Sequence, residues 1–129
     1  MPFVGKHVIV DIIDFKCTPQ DGHRVFQMMK ETIFYTCPTM RVVGESKYIF
    51  EKEFEVPGFS HSLNLDSSHF CVHSYSQTGL LAIDIFTCEP EKNPPLEAML
   101  YFLDCLKEIN PNYKIAQIKE HNRFPNTIV

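Results

Sequence analysis

The chain has 129 residues, 44% of them hydrophobic with 11 Phe, enough to fill one core, so a single domain spanning 1–129 is expected. Its formal net charge of -4, with no basic stripe and no block of like charges, gives a phosphate backbone nothing to hold and excludes nucleic acid as the expected partner. The apolar runs are too short to span a bilayer, no charged and then apolar leader opens the chain, and 5 Cys at irregular spacings make no disulfide framework, so a soluble, cytoplasmic protein with reduced thiols is expected.

In chain order, His7-Val8-Ile9-Val10-Asp11-Ile12-Ile13 reads as a central β-branched strand in which Asp11 shares one face with His7 and Ile9. Thr18 can cap a helix with Pro19 at its first position, and Val25, Met28, Met29 and Ile33 recur at helical spacing until Cys37-Pro38. A second strand region runs from Met40 to about Phe50, before Glu51-Lys52-Glu53 and Phe54. After the Pro57-Gly58 turn signal, a third strand alternates Ser60, Ser62 and Asn64 against Phe59, His61, Leu63 and Leu65.

Then comes Asp66-Ser67-Ser68, and from His69 a period of two puts His69, Cys71 and His73 on one face and Phe70 and Val72 on the other. By pattern alone this fits a half-exposed edge strand as well as a site built on a sheet. Ser76-Gln77-Thr78-Gly79 turns the chain into Leu80 to Phe86, where Leu81, Ile83 and Ile85 oppose Ala82, Asp84 and Phe86, with Cys88 just beyond. Asn93 is placed as the cap of a second helix that starts with Pro94-Pro95 and carries Leu96, Met99, Leu100, Leu103 and Leu106 on one side. A last strand follows from Tyr113 to Lys119.

This order predicts an α/β (α+β) fold, a two-layer sandwich in which an antiparallel sheet carries two helices on one face. If the helices cover Val72, Leu81, Ile83 and Ile85, then His69, His73, Ser60, Asp84 and Asp11 lie on the open face. A two-fold homodimer with its open faces apposed would bury these groups and make a site between protomers.

Three chemistries fit these residues. Metal binding by His69-x-Cys71-x-His73 with Cys88 lacks the usual paired spacing, and no metal is expected. A Ser-His hydrolase lacks the G-x-S-x-G elbow. The third is self-cleavage, in which a serine hydroxyl attacks the preceding carbonyl and elimination with hydrolysis leaves a pyruvoyl group. Such a carbonyl accepts an amine as a Schiff base and serves as an electron sink for decarboxylation.

His7-Val8-Ile9-Val10-Asp11, Gly58-Phe59-Ser60, Ser67-Ser68-His69-Phe70-Cys71-Val72-His73 and Ala82-Ile83-Asp84-Ile85-Phe86-Thr87-Cys88 together resemble the short bacterial S-adenosylmethionine decarboxylases. These are self-processing pyruvoyl enzymes of polyamine (spermidine) biosynthesis, made as zymogens. The resemblance implies cleavage between Ser67 and Ser68, a pyruvoyl cofactor made from Ser68, and a small-molecule substrate. It further implies that Ser60 and His73 act in processing, that Cys88 is the catalytic proton donor, and that Phe54 stacks on adenine.

Two positions depart from the family pattern. Ser67 stands where a glutamate usually precedes the cleaved serine, and Gln77 where a glutamate usually accepts the ribose hydroxyls. Both fall on the nucleoside side of the site, which keeps two other readings open. One is a pyruvoyl-dependent ornithine or arginine decarboxylase, with Asp11, Glu51, Glu53 or Asp84 holding the distal cation. The other is a non-processing paralogue that binds and regulates an active subunit.

Overall fold

A computed structural model describes residues 4–51 and 56–128. Its strands are β1 (Gly5–Ile13), β2 (Val42–Phe50), β3 (Gly58–Leu65), β4 (Ser68–Tyr75), β5 (Leu80–Thr87) and β6 (Lys114–Arg123), and its helices are α1 (Gly22–Thr36) and α2 (Pro95–Leu106). The six strands form one sheet in the order β2-β3-β4-β5-β1-β6, antiparallel throughout. β4 therefore lies in the interior of the sheet, which removes the edge-strand reading, and β1 lies between β5 and β6.

Both helices cover one face, as the alternation predicts. Val8, Val10 and Ile12 of β1, Phe70 and Val72 of β4 and Leu81, Ile83 and Ile85 of β5 are buried against Val25, Met29 and Ile33 of α1 and Met99, Phe102, Leu103 and Leu106 of α2. Phe70 and Phe102 meet edge to face with centroids 4.9 Å apart, a contact that orients rings beyond simple area burial. Leu100, expected on the buried side of α2, is instead 52% exposed, and Phe102 takes the core position. The stripe Met99, Phe102, Leu103, Leu106 has the i, i+3, i+4, i+7 spacing, and Leu100 stands one residue, about 100°, off it.

The helix starts also differ from expectation. Thr18 caps a short 3-10 turn, Pro19–Asp21, through a reciprocal box with Asp21, and α1 begins only at Gly22. Gly22 packs so closely that an added Cβ would lie 2.7 Å from Phe59, which is why a poor helix former opens α1. Asn93 does not cap α2. The capping position is Pro94, and the Asn93 side chain is buried and accepts from the Thr39 hydroxyl at 2.9 Å, tying the loop before α2 to the loop before β2.

Candidate active site

The β3–β4 hairpin turns through two residues, Asp66 and Ser67, between the paired Leu65 and Ser68. Ser67 has φ 54, a left-handed conformation that costs a residue with a Cβ about 1–2 kcal/mol. The turn is held in place by two bonds to Arg41. Asp66 N–H donates to the Arg41 carbonyl at 3.2 Å, and Arg41 Nε donates to Asp66 Oδ2 at 3.1 Å.

Ser68 opens β4 and is 8% exposed. Its Oγ accepts the backbone N–H of Cys88 at 3.2 Å, because Cys88 directly follows the neighbouring strand β5 beside it. The Cys88 thiol points the same way and lies 3.9 Å from the Asp66 carbonyl. A concavity of about 310 Å3 opens here, lined by Met40, Asp66, Ser67, Cys88, Glu89 and Lys92 among others. Ser67, Ser68 and Cys88 are thus brought together as expected.

Ser60 and His73 form a second group. They are cross-strand partners, and His73 Nδ1 lies 3.0 Å from Ser60 Oγ on the open face. Asp11 shares their row, because register aligns Ser60 with His73, His73 with Ala82 and Ala82 with Asp11. Gln117 Nε2 donates to Asp11 Oδ2 at 3.0 Å. Gln77 lies in the turn after β4, beyond the His73 end of that strand. Phe54 and Glu53 lie outside the described residues.

His73 is five residue steps along the strand from Ser68, about 17 Å at the rise of an extended chain. The chain therefore holds the two groups apart and does not bring His73 to its own Ser68.

Between the two groups lies a third that local sequence patterns do not signal. His7 Nε2 and His69 Nε2 lie 2.8 Å and 2.7 Å from Asp84 Oδ2. Burial pushes the Asp84 carboxyl up, but the hydrogen bonds from His69 and His7 together outweigh it and hold it below the ordinary carboxylate value. Cys71, opposite Asp84 on β4, is pushed up to about 11 by burial and by the Asp84 charge, so it is a neutral thiol at pH 7. Period two places these residues on the open face; only the pairing of β1 and β4 to β5 puts both imidazoles on one carboxylate.

Among the described residues no helix is long and apolar enough to cross a membrane. Residues 6–119 match the sequence model of the S-adenosylmethionine decarboxylase family. The S-adenosylmethionine decarboxylase proenzyme 2 of Bacillus cereus is 31% identical over 105 residues, covering 80% of this chain and 79% of the relative. The corresponding proenzyme of Synechococcus sp. strain WH7803 is 29% identical over 107 residues, covering 83% and 79%, and that of Clostridium botulinum 27% over 123 residues, covering 93% and 94%. The crystal structure of the adenosylmethionine decarboxylase from Aquifex aeolicus superposes with a TM-score of 0.70 at 17% identity, over 100% of this chain and 96% of that one, which establishes likeness of fold.

Proposed function

The chain belongs to the S-adenosylmethionine decarboxylase family, and on that footing we propose that it is a self-processing, pyruvoyl-dependent decarboxylase of S-adenosylmethionine. The observation that carries this reading is Ser68 itself, a hydroxyl held by the Cys88 N–H directly after a residue in strained backbone. In processing, Ser68 Oγ adds to the Ser67 carbonyl carbon as its proton leaves, and the bond from that carbon to the Ser68 nitrogen breaks to give an ester. The Cys88 N–H favours the alkoxide form of Oγ as its proton leaves, before the charge passes to the Ser67 carbonyl oxygen. Loss of the Ser68 α-proton then expels the Ser67 carboxylate, and water replaces the nitrogen, which leaves as ammonia.

The residues present fit a carbonyl on residue 68: the preceding Ser67 and Cys88, whose N–H holds the Ser68 hydroxyl, both line the concavity. When formed, the pyruvoyl group supplies the electron sink for release of carbon dioxide from an α-amino acid. Cys88 donates the proton that replaces the lost carboxylate. His73 Nδ1 lies 3.0 Å from Ser60 Oγ; in the tautomer whose Nδ1–H donates to that hydroxyl, Nε2 carries the lone pair on the open face and acts as the base for the Ser68 α-proton.

Because His73 cannot reach its own Ser68, the reading includes a homodimer with open faces apposed. A two-fold axis crossing the sheet near the Cys71–Asp84 row, midway between the two half-sites, brings each Ser60–His73 pair to the partner's Ser68 end. Asp11 accompanies the pair and contacts substrate, as do Phe54 and Gln77. The curated relatives reported above all carry the name S-adenosylmethionine decarboxylase proenzyme, which favours neither an ornithine or arginine substrate nor a regulatory paralogue.

The test is intact mass after purification and incubation. The chain is expected to resolve into residues 1–67 and 68–129, the second blocked at its N-terminus and reactive toward hydroxylamine, and Ser68→Ala is expected to stay whole. A persistent single mass for the parent would refute the reading. Carbon dioxide release should be fastest from S-adenosylmethionine among equal concentrations of it, ornithine and arginine, and faster still with Gln77→Glu.

A further inference from the structure

Outside the two half-sites, the open face carries one cluster whose donors come from three adjacent strands. His7 lies on β1, His69 on β4 and Asp84 on β5, the strand between them. Both imidazole Nε2 atoms point at the same carboxylate oxygen, at 2.8 Å and 2.7 Å, and the three donor atoms all lie within 4.8 Å of one another. The rings meet edge to face, 85° apart with centroids at 5.6 Å, so they converge on one point without competing for space. All three side chains are partly accessible.

From this convergence we propose that His7, His69 and Asp84 bind one divalent ion of the zinc class, two nitrogens and an oxygen supplying three ligands and leaving a fourth position on the open face, the side turned to the partner in the proposed dimer. Imidazole suits zinc, nickel or copper(II), and magnesium or calcium would need more oxygen donors than these strands offer. Zinc holds such ligands at about 2.0–2.2 Å, which sets tetrahedral neighbours about 3.3 Å apart. Each Nε2 therefore retreats about half an ångström from Oδ2 while the two nitrogens, which lie within 4.8 Å of each other, settle at the same spacing, movements that the partly accessible rings can make. As the ion takes Nε2, each imidazole carries its hydrogen on Nδ1.

Arg123 opposes this change. Its Nη1 lies 3.4 Å from His7 Nδ1, where it favours an unprotonated Nδ1 and hence a protonated Nε2. In that same position the guanidinium lies over the rings of Phe86 and Phe124, at 5.5 Å and 5.7 Å, which hold it beside His7. His7 belongs to residues 1–67, and His69 and Asp84 to residues 68–129, so the ion would pin the new N-terminal strand to β1 if the chain is cut. The three side chains already meet in the uncut chain, so the site stands or falls independently of processing.

The experiment is a zinc titration of the full chain carrying Ser68→Ala, in competition with a chromogenic chelator, with cobalt(II) absorption as the second readout. One ion per chain is expected, with cobalt(II) bands of a nitrogen–oxygen site and no sulfur charge-transfer band. His7→Ala and His69→Ala should each weaken binding at least about ten-fold. Cys71→Ser, which removes the thiol opposite Asp84, should leave affinity unchanged. Arg123→Gln should tighten binding, a direction that a folding defect does not produce. No binding in the micromolar range, binding that survives both histidine substitutions, a sulfur band lost with Cys71→Ser, or weaker binding in Arg123→Gln would each overturn the site.

Discussion

The residue before the proposed cut is the place where structure and processing rate should be coupled. Ser67 sits at φ 54 in a two-residue turn, the second central position that turn chemistry reserves for glycine or asparagine. Replacing it by glycine removes the Cβ that makes this backbone costly, about 1 kcal/mol at the low end of the left-handed penalty. The flexible unfolded chain takes back about 0.4–1 kcal/mol of that, so the net change in folding stability is close to zero. The processing barrier responds differently, because both species are folded. If the strain is released as the Ser67 carbonyl leaves planarity, relieving it beforehand raises the barrier by about 1 kcal/mol, roughly a five-fold slower cut. The assay is a time course of fragment appearance by mass, read against urea midpoints of the two precursors. Arg41→Ala, which frees the Asp66 clamp, should slow processing in the same sense, and the double variant should fall short of the product of the two effects. Ser67→Gly that folds normally and cuts at or above the parent rate would refute the reasoning.

Mixing tests the shared site: a chain carrying His73→Ala and one carrying Ser68→Ala, each inert alone, should cut the His73→Ala chain when refolded together, and failure in a proven mixed dimer would place both half-sites in one protomer. His61 is 1% exposed, donates from Nε2 to the Gly22 carbonyl and has a buried Nδ1 with no partner, and burial holds its pKa below the ordinary value of 6.5. The unfolded chain therefore binds a proton that the folded chain refuses, so stability should fall as pH drops below 6.5 toward the folded value; urea midpoints at pH 7.5 and 5.5 should differ, and His61→Leu should shrink that difference. Asp84→Asn leaves two imidazoles without their anion and, discounting for its partial exposure, should cost on the order of 1–2 kcal/mol at pH 7. It should also remove the stability that the parent keeps above the ordinary Asp value of 3.8 and loses as pH falls through the lower folded value. Gly58→Ala would set a Cβ 2.1 Å from the Ser74 carbonyl oxygen; a loss of about 1–3 kcal/mol is expected in urea unfolding, with processing slowed because the Ser60–His73 ladder moves with it.

Much of this was legible in the residues. Every strand with one buried face declares that face by alternation, so Ser60, His69, His73, Asp84 and Asp11 could be set on the open side before any coordinates. Self-cleavage chemistry and the family resemblance likewise rested on short stretches whose spacing survives in one dimension. The helices were less legible: Asn93 has the side chain of a cap, yet the Thr39 hydroxyl holds it elsewhere, and Leu100 stands about 100° off the buried stripe that Phe102 completes. What only tertiary structure decided is which residues share a row. His7 and Asp84 are 77 residues apart, and nothing local links them; strand order places β1 beside β5, and register does the rest. The same geometry sets Ser68 and His73 at opposite ends of β4, a separation that a motif hides and a rise of about 3.4 Å per residue enforces. The strain at Ser67 is likewise a property of the closed hairpin, since no sequence rule puts serine at positive φ unless its neighbours are already held.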